Sequence, residues 1–262
     1  MKGLEVIVKM PEGERKGAVV FLHGACHAAW CWEYFLDYFP QYGYESCALS
    51  LPGHGKSWGH EDLNAIRFSD YTAAVREVLN HYGGEAVLVG HSLGGSIAQK
   101  VLADNSGVAK AGVLMATGIA TWLPGAMQET MKAMTKPQFR QVAGMMSKSI
   151  PESPEVIRDS GFFSGRISPE DAKKWRALLR TEPPNAIEMK LSVDWKAIEV
   201  PMLVIASDMD VCSTLQHQDK IAVCYGTKPV VLEGICHDMM LDPEWETAAK
   251  VILKFMNTTV FV

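Results

Sequence analysis

The chain has 262 residues, 48% of them hydrophobic and 21% charged, with a formal net charge of −5. This composition is typical of a globular protein with a large core, and without any basic run it excludes nucleic acid as an expected partner. No stretch approaches about 18 uninterrupted apolar residues, so no membrane association is expected, and Met1-Lys2-Gly3-Leu4-Glu5 carries no secretion pattern, which points to the cytoplasm.

Leu4 to Met10 alternates enough for an edge strand, closed by the turn Pro11-Glu12-Gly13-Glu14. Gly17-Ala18-Val19-Val20-Phe21-Leu22 is wholly apolar, the pattern of a strand covered on both faces. It runs into His23-Gly24-Ala25-Cys26-His27, where a glycine and then a small residue let a backbone N–H face a ligand. Trp30 to Tyr42 sets Trp30, Tyr34 and Tyr38, with Phe35 and Phe39, at helical spacing and predicts a core-packed helix. Tyr44 to Leu49 is the next strand. It leads into Leu51-Pro52-Gly53-His54-Gly55-Lys56-Ser57, a surface turn in which His54 is expected to be structural. Ser69 is the expected N-cap of a helix from Asp70 to Tyr82, ended by Gly83-Gly84.

The stretch Val87-Leu88-Val89-Gly90-His91-Ser92-Leu93-Gly94-Gly95 carries the chemistry. An apolar strand meets a G-x-S-x-G string, and a helix-like segment, Ser96 to Asp104, follows at once. A serine on so sharp a turn needs neighbours almost free of side chain, which Gly90, Gly94 and Gly95 supply. The helix behind it aims its N-terminal amides where an oxyanion would form. Ala25 and Leu93 are the expected oxyanion donors through their N–H groups.

Ala109 to Ala116 is a further apolar strand. The strand–helix rhythm implies a mostly parallel sheet with helices on both faces. It breaks at 118–193, a segment helical in composition, rich in methionine and punctuated by proline, expected as a helical cap inserted into a core made of 1–117 and 194–262. The sheet resumes at Val200 to Ala206, followed by Ser207-Asp208-Met209-Asp210. Thr214 to Cys224 is a helix and Lys228 to Leu232 a last strand. His237 lies in the loop beyond it, before a helix from Glu244 to Asn257. A carboxylate straight after a buried parallel strand sits where α/β sheets gather ligand groups.

A serine hydroxyl needs an adjacent base, and the base needs an orienting acid. Ser92, Asp210 and His237 occur in that chain order. With His23-Gly24, the Pro52-Gly53-His54-Gly55 turn and Gly90-His91-Ser92-Leu93-Gly94-Gly95, they resemble the α/β-hydrolase superfamily along nearly the whole chain. The resemblance implies an α/β-hydrolase fold and Asp210 as the acid, because family members place it a few residues past the strand; Asp208 is the alternative. Asp238 adjoins His237 in sequence, which makes a bond to its Nδ1 awkward. The loop from His23 to Trp32 is similar to the plant methylesterase and hydroxynitrile lyase group, which implies small esters or cyanohydrins as substrates. His237 is followed by Asp238 rather than the lysine of the lyases, which favours hydrolysis.

The expected activity is therefore hydrolysis of a small carboxylic ester through an acyl-enzyme, by a monomer or homodimer. Carbon–carbon hydrolase, lactonase and thioesterase chemistry, or ligand binding alone, are the alternatives. Gly24, His91, Trp122, Met127 and Met240 are the expected substrate contacts. No cofactor is required, and His23, Cys26, His27 and Cys31 match no metal-binding spacing. The six cysteines are expected to be free thiols, and Cys26, Cys212 and Cys236, beside motif residues, predict sensitivity to thiol reagents.

Overall fold

The computed structural model describes residues 3–117, 150–187 and 191–262, with positions 137 and 144. Among these residues seven strands form one sheet: β1 Val6–Lys9, β2 Gly17–Leu22, β3 Tyr44–Leu49, β4 Ala86–His91, β5 Ala111–Met115, β6 Met202–Ser207 and β7 Val230–Leu232. Their order is β1-β3-β2-β4-β5-β6-β7. Only β1 is antiparallel to its neighbour; the other pairs are parallel.

The apolar strands behave as their sequences require. Val19 and Phe21 of β2 enter one core with α1 (Glu33–Tyr38) and α7 (Glu246–Phe255). Ala18, Val20 and Leu22 enter the other, with α2 (Phe68–His81), α3 (Leu93–Asp104) and α6 (Leu215–Cys224). Alternation across the pleat sends successive side chains to opposite faces, so a strand polar on neither side must be covered on both. Phe21 is fully buried and stacks on Trp32 at 4.8 Å; removing such a side chain from water contributes about 1.5–3 kcal/mol.

Two helices differ from the sequence expectation for identifiable reasons. The aromatic helix is split into Ala29–Trp32 and Phe39–Tyr42, both 3-10, around a short α1, with Pro40 inside the last turn. The helix expected from Asp70 begins at Phe68 with Arg67 as N-cap, because Asp70 Oδ2 reaches back to the Arg67 N–H at 2.7 Å. Ser69 is therefore inside the helix. Between β5 and β6 the described residues hold α4 (Pro154–Arg158), α5 (Pro169–Leu178) and no strand. Trp175 of α5 is buried, and Lys174 pairs with Glu33 of α1 at 2.7 Å. Among the described residues no helix is long and apolar enough to cross a membrane.

The sheet's centre is where backbone approach is closest. A Cβ at Gly94, in the first turn of α3, would lie 2.5 Å from Leu22 O and 2.6 Å from His23 O. These are backbone atoms, so neither can swing aside. Gly94→Ala is expected to destabilise the fold by about 1–3 kcal/mol, as overpacking does. At ~2–4 °C per kcal/mol for a chain of this size, calorimetry would then show a melting temperature several degrees lower. An unchanged melting temperature would contradict this packing.

Candidate active site

β4 ends at His91 and α3 begins at Leu93, leaving Ser92 alone on the turn. Its backbone is left-handed, with φ 50° and ψ −117°, a conformation costly for any residue bearing a side chain. The surroundings enforce it. Ser92 N–H donates to Met115 O at 3.0 Å on β5, and Ser92 O accepts from Gly95 N–H at 3.0 Å in the first turn of α3. Ser92 and Leu93 stay half-buried while His91 and Ser96 are buried. Gly24 closes the other side: a Cβ there would meet His91 Nδ1 at 2.9 Å and Ser92 Cβ at 3.0 Å. The loop after β2, with Ala25, and the start of α3, with Leu93, thus converge on Ser92.

His237, beyond β7, and Asp210, beyond β6, meet beside this turn. His237 Nδ1 lies 2.9 Å from Asp210 Oδ1, and both side chains are buried. The same oxygen accepts from Cys212 N–H at 2.7 Å and Ser213 N–H at 2.9 Å, which fixes the carboxylate. The His91 ring is 4.7 Å from the His237 ring, and His91 Nε2 is 3.0 Å from His237 O. Asp208 is elsewhere: exposed, it accepts from Gly234 N–H at 2.8 Å and ties the loop after β6 to the loop after β7.

Asp238 is buried and adds a second negative charge. His27 Nε2 lies 3.1 Å from its Oδ2 and His91 Nε2 3.7 Å from its Oδ1. Burial alone would raise the Asp238 carboxyl, yet His27 above all, with His91 and His237, holds it below its ordinary value. Burial opposes charge on His27 as well, but Asp238 outweighs it and lifts that imidazole. Burial and neighbouring His237 push His91 down to about 3, so it is neutral. Burial also works against protonation of His237, but Asp210, through charge and hydrogen bond, and then Asp238 raise it above the ordinary imidazole value.

The segment between β5 and β6 covers this group. The Phe162 ring stacks on His237 at 5.6 Å and 26°, and Phe162 O accepts from Asp238 N–H at 2.9 Å. Arg166 Nη2 donates to Gly234 O and to buried Asp242, both at 2.8 Å, pinning the segment to the histidine loop.

Sequence reasoning missed Phe162 and the partnership of His27 with Asp238, since no spacing connects positions so far apart. It also set His91 and Met240 against substrate. The His91 side chain faces His237 and Asp238, and Met240 is fully buried with Met239 and Leu241. Trp122 and Met127 lie outside the described residues. All six cysteines are free. Burial, then Glu182, pushes the Cys26 thiol well above its ordinary value, burial and Asp210 do so for Cys212, and burial raises Cys236 to about 11. Reactivity needs the thiolate, so the expected thiol-reagent sensitivity has no support here. His91, His237 and Asp238, or Asp210, Cys212 and His237, bring possible ligand atoms within 4.8 Å of one another. Both sets use His237, whose Nδ1 is engaged by Asp210.

Comparison with known proteins agrees with this architecture. Methylesterase 3 of Arabidopsis thaliana is 34% identical over 88 residues, 33% of this chain and 34% of that protein. The chain thus spans only about a third of the length of such relatives. MenH from S. aureus superposes with a TM-score of 0.76 at 18% identity, covering 98% of both chains. The methylesterase MES16 from Arabidopsis superposes with a TM-score of 0.70 at 22% identity, over 92% of this chain and 98% of that one. The profile described as alpha/beta hydrolase family matches residues 19–249, nearly the whole sheet and every residue of the site, and the chain belongs to that family.

Proposed function

We propose that the protein hydrolyses a small carboxylic ester through an acyl-enzyme formed on Ser92. The observation that carries the reading is the buried Asp210–His237 pair, 2.9 Å apart, beside a serine strained onto the β4–α3 turn. Ser92 Oγ attacks the ester carbonyl while His237 takes its proton. The carbonyl oxygen, now negative, is met by the Ala25 and Leu93 N–H groups. Collapse expels the alcohol, which His237 protonates, and water then enters by the same route to release the acid. Asp210 holds the imidazole tautomer and stabilises its charged form. None of these steps calls for a metal or cofactor.

Other features support the same reading. The relatives and neighbours named methylesterase act on esters by their names. The buried carboxylate of Asp238 stands beside His237, an unfavourable place for the anionic leaving group of a cyanohydrin cleavage. Residues 118–193 are read as a cap, with Phe162 and Arg166 seating it over the histidine loop and Trp122 and Met127 as substrate contacts. Six free thiols fit a reducing, cytoplasmic compartment. The expected form is a monomer or homodimer.

A series of p-nitrophenyl esters from acetate to octanoate should be turned over by the wild type and, by Ser92→Ala, about 10⁴-fold more slowly or worse. Equal rates for the two proteins would end the serine reading. Asp210→Asn should lower kcat by about 10³–10⁴ with KM nearly unchanged, because the imidazole loses its orienting acceptor.

The pH dependence has a definite sign. The base acts only when neutral, so activity is present above the His237 pKa and lost as pH falls through it. Because that pKa is raised, the acid limb of kcat/KM should sit above about 6.5, the ordinary imidazole value. Asp238→Asn removes one of the two raising charges and should move the limb downward with catalysis retained. A limb that does not move would show that Asp238 does not reach His237 electrostatically.

A further inference from the structure

The loop that presents the Ala25 N–H is held peptide by peptide. His23 Nε2 accepts from Leu51 N–H at 2.9 Å, so its proton is on Nδ1, which donates to Gly24 O at 2.8 Å. Gly24 O and Ala25 N–H belong to one peptide and point opposite ways, so fixing the carbonyl aims the amide away from His23. In the next peptide, Ala25 O lies 2.8 Å from His27 Nδ1, and the Cys26 N–H donates to Glu182 Oε2 at 2.9 Å. Cys26 O then accepts from Arg180 N–H at 3.0 Å. Cys26 itself is left-handed at φ 69°, a conformation that persists only where neighbours impose it.

Glu182 comes from the segment between β5 and β6, 156 positions along the chain from Cys26. It is buried, and its two oxygens face three partners. Oε2 takes the Cys26 N–H and lies 3.1 Å from His54 Nε2, and Oε1 accepts from Tyr71 O–H at 2.5 Å. Burial would raise this carboxyl, but His54 and the hydrogen bonds from His54, Tyr71 and Cys26 hold it below its ordinary value. His54 is itself fully buried and packs 5.0 Å from the His23 ring. One carboxylate therefore ties α2, the turn after β3 and the oxyanion loop to the inserted segment.

We infer that Glu182 is a positioning residue for catalysis: by holding the Cys26 amide against its left-handed strain, it aims the preceding Ala25 N–H at the oxyanion. The inference rests on the Ser92 mechanism proposed above. A buried carboxylate with three partners would serve folding equally well on its own. What makes this one a catalytic device is its grip on the amide next to the oxyanion donor. A donor displaced by a fraction of an ångström stabilises the transition state less while leaving substrate binding intact.

The test compares Glu182→Ala and Glu182→Gln with the wild type in p-nitrophenyl butyrate hydrolysis and in inhibition by butylboronic acid, a tetrahedral adduct of the serine. Glu182→Ala should lose about 10–100-fold in kcat with KM within about twofold, and its boronate inhibition constant should rise by a similar factor. Glu182→Gln keeps one carbonyl oxygen to accept from the Cys26 N–H, with its NH2 toward the Tyr71 oxygen, and should recover most of the loss; it also covers the case in which the alanine variant does not fold. The acid limb of the pH profile should stay where it is in both variants, because His237 is untouched. Folded Glu182→Ala with wild-type kcat and boronate affinity would overturn the inference, as would equal losses in the two variants. Wild type that neither turns over esters nor binds boronate would overturn this inference together with the Ser92 reading.

Discussion

Everything in the site depends on how closely the first turn of α3 lies against the carboxyl end of β2. That contact has no room for a side chain at position 94, where a Cβ would sit 2.5 Å from Leu22 O. Because the two backbones touch, the loop after β2 and the N-terminal amides of α3 face one small volume, with Ser92 at its edge. The left-handed serine backbone follows from the same geometry, since β4 must turn into α3 within a single residue. The parallel register that aligns Leu22 with Gly90 and His91 with Met115 delivers the strand ends to one level. The apolar cores on both faces keep them there.

Around this frame the electrostatics are arranged as two buried carboxylates with separate partners. Asp210 has His237 and two backbone amides; Asp238 has His27 and the more distant His91. An unpaired charge at either place would cost several kcal/mol, so each acid requires its histidine. The assignments are not interchangeable. Asp210 reaches His237 Nδ1 from a different strand end, whereas Asp238, adjoining His237 in sequence, turns toward His27. His91 remains neutral between them and holds the His237 backbone.

Much of this was legible in the sequence. Wholly apolar runs at 17–22 and 86–89 required a two-faced sheet, and the glycines around Ser92 required a turn that nothing bulkier would allow. The position of Asp210 just past a buried strand, and of His237 past the next, placed both at the same sheet edge. Other features could not be read locally. Pro40 divides an aromatic stripe whose spacing resembles one helix. Asp70 shifts a helix start by bonding backwards, in place of the cap at Ser69. Phe162 over His237 and Glu182 under the loop after β2 are tertiary contacts, formed by a segment whose composition announces helix and turn but not direction.

Covalent labelling tests the central claim most directly. Folded protein treated with a fluorophosphonate and weighed intact should gain one adduct, mapped by peptide sequencing to Ser92, with His237→Ala labelled about 10³-fold more slowly. No adduct on the folded wild type, or one located on another residue, would contradict a serine activated by the Asp210–His237 pair.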